Sequence, residues 1–317
     1  MKQLSLVFIG TSEYAVPALK ALVDSKDYCP QIVISQPDRP KGRKLQFAAS
    51  PISELAQLSG LKLLKPETIN CEEVHRAVQE LKPDLIVTAS YGGMIGRAIR
   101  KVAKLGAVNL HPSLLPKYRG ASPIQSALMN GETATGITIF GLNAKMDAGK
   151  IHKQMRVGID PNDNYSTLQE RLAELSAQLL LDYLADLQAH AIQPLAQVDQ
   201  DATYTAKIEK EDQLICWNQD ATRIRNKIRA LTFSPGAYQY FRDLQIKIIS
   251  TSVLDEPANG VPGTIADIIK NIGFTINTKD QQLLIQELQP AGKKVMTAWA
   301  YHIGARVNIG EPFERLL

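Results

Sequence analysis

The sequence predicts an α/β fold: a doubly wound, mostly parallel sheet followed by a small β-barrel. In the first half, short apolar runs alternate with stretches of helical periodicity. Those runs are mostly apolar along their length rather than alternating, as in strands covered on both faces. From about Ile208 the pattern changes to short β-like runs broken by Gly, Pro and Asn, the mark of a small barrel.

Taken in order, Leu4 to Ile9 reads as a buried strand ending at Gly10, and Glu13 to Val23 as a helix. Gln31 to Ser35 and Leu61 to Leu64 are further strands, Glu72 to Leu81 a helix, and Pro83 to Ala89 and Ala107 to His111 two more buried strands. Right-handed crossovers then place helices on both faces. Gly136 to Asn143 and Ile151 to Val157 read as a strand pair around Lys145 to Gly149, and Thr167 to Leu187 as a long amphipathic helix. The polar, aperiodic stretch Ala189 to Thr205 reads as a linker. Beyond it, Ala221 to Leu231 reads as a helix. Strands follow at Ala237 to Phe241, Ile246 to Ser250, Gly263 to Ile269, Gly273 to Asn277 and Leu283 to Leu288. The expected organisation is a catalytic domain over 1–189, a linker over 190–207 and a barrel domain over 208–317.

The chain has 317 residues, enough for two domains. Its net charge of +4 comes from 36 basic and 32 acidic residues, so a polyanionic partner must be held by local patches rather than the overall field. The three cysteines are dispersed, which argues against a disulfide framework. The five histidines lack zinc-ligand spacing, so no metal is expected. No stretch reads as a signal peptide or membrane span, and a monomer in a reducing cytoplasm is the expectation.

The strongest local signal is Val108-Asn109-Leu110-His111-Pro112. On a strand Asn109 and His111 point to one face. They fall at the carboxyl end of a predicted parallel strand, where open α/β sheets hold their ligands. Taken alone, the pair is equally a polar strand end satisfying backbone groups. Likewise Asp147, before Ala148-Gly149, is by itself a turn-forming aspartate. Ser113 follows His111 closely, but neighbouring side chains on an extended segment diverge, so a Ser–His nucleophile is not expected.

The company these residues keep decides between the readings. Asn109-x-His111, then Ser113-Leu114-Leu115-Pro116, Gly120 and the later Asp147 before Ala148-Gly149 together resemble the signature of the folate-dependent formyltransferases. The resemblance covers essentially the whole chain. It implies transfer of the formyl group of 10-formyltetrahydrofolate to the amino group of a methionine carried by initiator tRNA, for translation initiation. It also implies a formyltransferase-like sheet domain followed by an OB-like barrel that helps hold the tRNA. Asn109, His111 and Asp147 become the catalytic group. Ser113, Leu114, Leu115 and Pro116 form the wall of the folate pocket, beside the turn holding Tyr91 and Gly92. Gly10 and Thr11 lie near the methionyl end of the substrate. The turn Gly10-Thr11-Ser12 lacks G-x-G-x-x-G, so a dinucleotide site is not expected.

Elementary chemistry agrees with what the resemblance implies. An amine attacking a formyl carbon builds an oxyanion, which needs pre-oriented donors. Asn109 offers a neutral N–H, and His111, if protonated, a cationic donor able to pass a proton to the leaving nitrogen. Asp147 either orients His111 and favours its charged form or accepts a proton from the attacking ammonium.

The loop Gln36 to Ser50 concentrates Arg39, Lys41, Arg43 and Lys44 beside Pro37, Pro40 and Gly42. Composition alone makes it a solvated surface loop. The resemblance makes it the insertion that enters the tRNA acceptor stem, with Arg43 where the family carries a functional arginine. The chain departs from the family at Tyr91-Gly92-Gly93-Met94-Ile95-Gly96, whose extra glycines predict a more flexible loop. In the C-terminal half, Arg223, Arg225, Lys227 and Arg229 alternate along a predicted helix and cannot share one face. Three rival readings remain: a formyltransferase acting on a glycinamide ribonucleotide, a hydrolase releasing formate from the same donor, and a non-catalytic RNA-binding module.

Overall fold

The structure, a computed structural model, describes residues 3–41 and 46–313. Strand β1 (Leu6–Gly10), helix α1 (Val16–Asp24) and strand β2 (Ile32–Ile34) open the chain. The region expected as a loop then carries two short paired strands, β3 (Arg39–Lys41) and β4 (Gln46–Ala48). There follow α2 (Pro51–Leu58), β5 (Leu63–Leu64), α3 (Glu72–Leu81), β6 (Leu85–Ala89), α4 (Arg97–Arg100) and β7 (Ala107–His111). Next come β8 (Arg119–Gly120), α5 (Pro123–Met129), β9 (Ala134–Gly141), β10 (Ile151–Gly158), α6 (Tyr165–Gln188) and β11 (Tyr204–Thr205).

The helices α2 and α3 follow local rules. Ser50 caps α2 by accepting from the Ser53 N–H at 3.0 Å, and Pro51 supplies the pre-set first turn. In α3, Val74 and Val78 lie four residues apart on one buried face, and Lys82 closes the helix in a left-handed conformation.

The chain forms two compact units. The first comprises Met1–Pro123, Ala134–Gly158 and Gln169–Ala206. Among the described residues, its main sheet runs β10-β9-β7-β6-β1-β2-β5. The strands from β5 to β7 are parallel, and β9 and β10 add an antiparallel edge. β1, β2, β6 and β7 are buried nearly throughout, as their largely apolar sequences require. Chain order proceeds outward from β1 to β5 and then resumes on the other side of β1 with β6. The reversal puts a switch point between the carboxyl ends of β1 and β6, the place such sheets bind ligands. The stretch expected as a linker belongs to this unit. Leu195 bridges to Ile151, and β11 pairs in parallel with β8.

The second unit comprises Ile124–Thr133, Ile159–Leu168 and Lys207–Leu317, so it also draws on two segments from earlier in the chain. It contains α7 (Ala221–Leu231), β12 (Ala237–Phe241), β13 (Leu244–Pro257), β14 (Ile265–Ile269), β15 (Gly273–Asn277), β16 (Gln281–Pro290), β17 (Met296–Thr297) and α8 (Ala298–Ala305). The strands build an antiparallel sheet ordered β12-β13-β16-β15-β14, with β17 on β16. Its core gathers Trp217, Phe241, Phe274 and Phe313, and the Trp217 indole donates to the Phe313 carbonyl at 2.7 Å. No described helix is long and apolar enough to cross a membrane.

Candidate active site

The carboxyl end of β7 carries Asn109 and His111, two residues apart in register with Phe140 and Thr138 of β9. On the other side of β7, Asn109 pairs with Thr88 of β6. The Thr88 hydroxyl lies within donating distance of Asn109 Oδ1 at 2.7 Å and of the Val108 carbonyl at 3.0 Å. That contact fixes the amide orientation, so Nδ2 is the group turned away from Thr88. Nothing in the sequence pattern marks Thr88 for this role; it is one residue inside an apolar strand.

His111 is 4% exposed. Its Nε2 lies 2.9 Å from the Tyr118 carbonyl, which can only accept, so Nε2 carries the proton. Nδ1 then faces the Asp147 carboxylate, with Oδ2 at 3.7 Å. Burial pushes the imidazole below its ordinary pKa, and the Asp147 charge and the Tyr118 carbonyl oppose that without overcoming it. The neutral ring therefore presents an unprotonated Nδ1 toward the Asp147 carboxylate.

Asp147 sits in a left-handed backbone conformation, φ 47°, after the β9 strand, and its side chain is 17% exposed. Oδ2 accepts from the Gly120 N–H at 2.8 Å. Gly120 itself needs φ +114°, and a Cβ there would stand 2.2 Å from the Thr205 carbonyl. The glycine thus lets the Ser113–Gly120 loop approach β11 closely while aiming its N–H at the carboxylate.

Ser113 is fully buried and donates to the Lys117 carbonyl at 2.7 Å. The Thr138 hydroxyl donates to the Ser113 carbonyl at 2.6 Å and receives the Leu115 N–H at 3.2 Å. Leu115 is buried, Leu114 and Pro116 are half-buried, and Leu115-Pro116 is a cis peptide. The loop is therefore a rigid wall rising directly from the histidine, with the serine hydroxyl committed to its own backbone.

At the switch point, the Thr11 hydroxyl donates to the Tyr91 carbonyl at 3.1 Å. Gly10 lies where a Cβ would meet the Ala89 carbonyl and the Phe8 ring, each at 2.9 Å. Tyr91 is buried and Gly92 exposed with φ +78°. The loop expected to be flexible is tied at two points. The Asn70 amide donates to the Met94 carbonyl at 2.9 Å, and its Oδ1 accepts from the Gly96 N–H at 2.6 Å. A Cβ at Gly96 would stand 2.6 Å from that same oxygen, so this glycine makes room for the tie rather than freeing the backbone.

Residues 4–184 match the model of the formyl transferase family, and 207–306 match that of the formyl transferase C-terminal domain. The chain belongs to the formyl transferase family. It is 37% identical to the methionyl-tRNA formyltransferase of Thermotoga maritima, over 98% of each chain. It is 38% identical to the methionyl-tRNA formyltransferase of Enterococcus faecalis, over 96% of this chain and 97% of that one. Among solved structures, an N-formyltransferase from Helicobacter canadensis, in complex with folinic acid and dTDP-3-aminofucose, superposes with a TM-score of 0.66 at 19% identity. That match spans 90% of this chain and 99% of that one. The methionyl-tRNA formyltransferase of Clostridium thermocellum superposes with a TM-score of 0.57 at 16% identity, over 80% and 94% of the two chains. At such identities these structures bear on the fold alone.

In this formyl transferase the basic insertion is a hairpin at its base. Arg39 reaches Glu67 at 3.1 Å, an exposed pair of little energetic weight. Asp38 pairs with Lys65 at 2.7 Å. Lys41 closes β3, while Arg43 and Lys44 lie outside the described residues. Among the four cations of α7, three are spent on backbone carbonyls of their own unit. Arg225 donates to Pro161 at 2.6 Å, Lys227 to Leu214 at 2.6 Å and Arg229 to Asp163 at 3.3 Å. Sequence reasoning missed Arg119 and Gln197 as neighbours of the site, and the bond between Thr88 and Asn109. Among the described residues no three His, Cys, Asp or Glu side chains cluster as metal ligands.

Proposed function

We propose that this enzyme transfers the formyl group of 10-formyltetrahydrofolate to the amino group of methionyl initiator tRNA. Similarity to methionyl-tRNA formyltransferases that runs almost end to end, through both units, carries the choice of substrate. The arrangement of Asn109, His111 and Asp147 at the sheet rim supports acyl transfer as the chemistry.

The folate supplies an electrophilic formyl carbon on a nitrogen leaving group. Asn109 Nδ2, held outward by Thr88, is placed to donate to the oxygen that gains charge. His111 Nδ1, with Nε2 locked on Tyr118, is the nitrogen that takes the proton from the attacking amine and returns it to the leaving nitrogen. Asp147 steadies the transient imidazolium from 3.7 Å. Tyr91, Gly92 and the wall Ser113, Leu114, Leu115 and Pro116 would hold the folate, with Gly10 and Thr11 facing the methionyl end. Arg39, Lys41, Arg43 and Lys44 would meet the acceptor stem, and the second unit would hold the body of the tRNA.

The test is a direct comparison of acceptors: charged initiator tRNA, a glycinamide ribonucleotide and water, each with the same formyl donor. Transfer to the tRNA at least about 100-fold faster than to either rival is expected, the scale that substrate-specific contacts provide. Equal or faster transfer to a rival acceptor overturns the assignment. In the same assay, Arg43→Ala raises KM for tRNA and leaves that for the donor unchanged; the reverse removes the hairpin from tRNA recognition.

A further inference from the structure

The stretch Ala189 to Thr205 looks like a linker in sequence, yet it is bound along the first unit next to the active site. Leu195 and Ile151 exchange two backbone hydrogen bonds of 2.8 Å. Thr203, Tyr204 and Thr205 run beside Tyr118, Arg119 and Gly120. The Tyr118 N–H donates to the Thr203 hydroxyl at 2.8 Å, and the Arg119 N–H to the Thr203 carbonyl at 2.8 Å. Between these two anchors lies Gln197.

All the polar capacity of the Gln197 amide is used. Nε2 donates to the Asp147 carbonyl at 2.8 Å and to the Gly149 carbonyl at 2.7 Å. Oε1 accepts from Arg119 Nε at 3.0 Å and Nη2 at 2.8 Å. The Arg119 side chain is 2% exposed and completes its set with Asp199 at 2.9 Å and the Tyr204 hydroxyl at 3.1 Å. A planar amide with donors on one side and a guanidinium on the other cannot flip without facing N–H to N–H and oxygen to oxygen. It is a fixed peg.

What it pegs is a backbone that does not hold itself. The left-handed conformation of Asp147 is one that non-glycine residues adopt only when their surroundings hold it. Gly149 is pressed so close to the Gly141 carbonyl that a Cβ would lie 1.6 Å from it. Gln197 bonds the carbonyls on either side of Ala148 and so sets the turn from which the Asp147 carboxylate projects toward Gly120 and His111.

We propose that Gln197 is a positioning residue for formyl transfer. It fixes the Asp147 turn, and through it the 195–205 segment controls the geometry of the His111–Asp147 pair. The inference rests on the catalytic reading of Asp147, and the experiment separates the two.

Turnover and KM for both substrates are measured for Gln197→Ala, Gln197→Glu, Asp147→Asn and the double variant Gln197→Ala/Asp147→Asn, alongside thermal unfolding of each. Gln197→Glu keeps the acceptor for Arg119 and the side-chain length but deletes both donors to the turn. Displacing a reacting group by a fraction of an ångström costs about 10- to 100-fold. Both single Gln197 variants are expected to lose that much kcat, with both KM values within about threefold of the parent on the same scale. The double variant turns over no more slowly than Asp147→Asn alone, because Gln197 acts through that carboxylate. Parental kcat in Gln197→Glu, or additive losses in the double variant, overturns the positioning role. Parental kcat in Asp147→Asn overturns instead the catalytic reading beneath it. Should Gln197→Ala fail to fold, Gln197→Glu alone decides.

Discussion

The electrostatic partnership between His111 and Asp147 can be isolated by Asp147→Asn. The amide keeps an oxygen able to accept the Gly120 N–H, so the 2.8 Å contact that shapes the loop survives while the charge is lost. At an effective dielectric near 20, unit charges 3.7 Å apart interact by about 4–5 kcal/mol. Both charges are spread over several atoms and Asp147 is 17% exposed, so only part of that, about 2–4 kcal/mol, is a realistic range. If the imidazolium forms on the way to the transition state, this range corresponds to a loss of about 30- to 1000-fold in single-turnover rate. The same substitution drives the His111 pKa still further below its ordinary value, since the Asp147 charge is what opposes burial. The assay is a quenched-flow measurement of formyl transfer across pH, paired with an NMR titration of the His111 ring. A turnover within threefold of the parent, or a His111 titration that stays where it was, refutes the electrostatic argument.

Two further outcomes follow from the same geometry. Because the folded His111 pKa lies below its unfolded value, the unfolded chain binds more protons, and stability falls as pH drops through and below 6.5. Between pH 7 and 5 this site removes up to about 2 kcal/mol, and His111→Gln shows a smaller loss over that interval in urea denaturation; an equal loss contradicts the burial argument. Ser113→Ala deletes the bond to the Lys117 carbonyl, costing about 1 kcal/mol of stability while leaving turnover within a few-fold. Abolished turnover, or a formylated serine seen by mass spectrometry in the parent, contradicts direct transfer.

What the sequence made legible is what short-range patterns encode. The strand Ala107–His111 emerged with both ends correct, because Pro112 stops it directly after the histidine. The two-residue period then put Asn109 and His111 on one face. The helix Ala221–Leu231 and the strands Ala237–Phe241 and Gly273–Asn277 were equally plain. Less legible were elements whose stability is non-local. The pairing of β8 with β11 involves two residues a side, from segments more than eighty positions apart, and no periodicity can arise over two residues. The stretch over 189–205 lacks apolar rhythm because it is held by side-chain amides, a guanidinium and isolated bridges instead of a packed face. The hairpin of β3 and β4 was masked by prolines and lysines that read as loop, and the extra glycines near Gly96 said nothing of Asn70. The alternating cations of α7 read only as unable to share one face, and three of them donate to carbonyls within their own unit.

The distinction bears on how such a site is built. Motif residues provide chemical groups, but a left-handed aspartate and a buried imidazole are each unfavourable on their own. Each is held by a contact from elsewhere in the chain: Tyr118 for the ring, Gly120 for the carboxylate, Gln197 for the turn and Thr88 for the amide. Those supports are backbone groups or uncharged side chains, so they orient Asn109, His111 and Asp147 without adding a further charge beside them. A cationic donor in place of Gln197 or Thr88 would shift the His111 proton equilibrium as well as bear on its geometry. Neutral supports therefore leave Asp147 as the charge that tunes His111, which lets geometry and proton affinity be set by different residues.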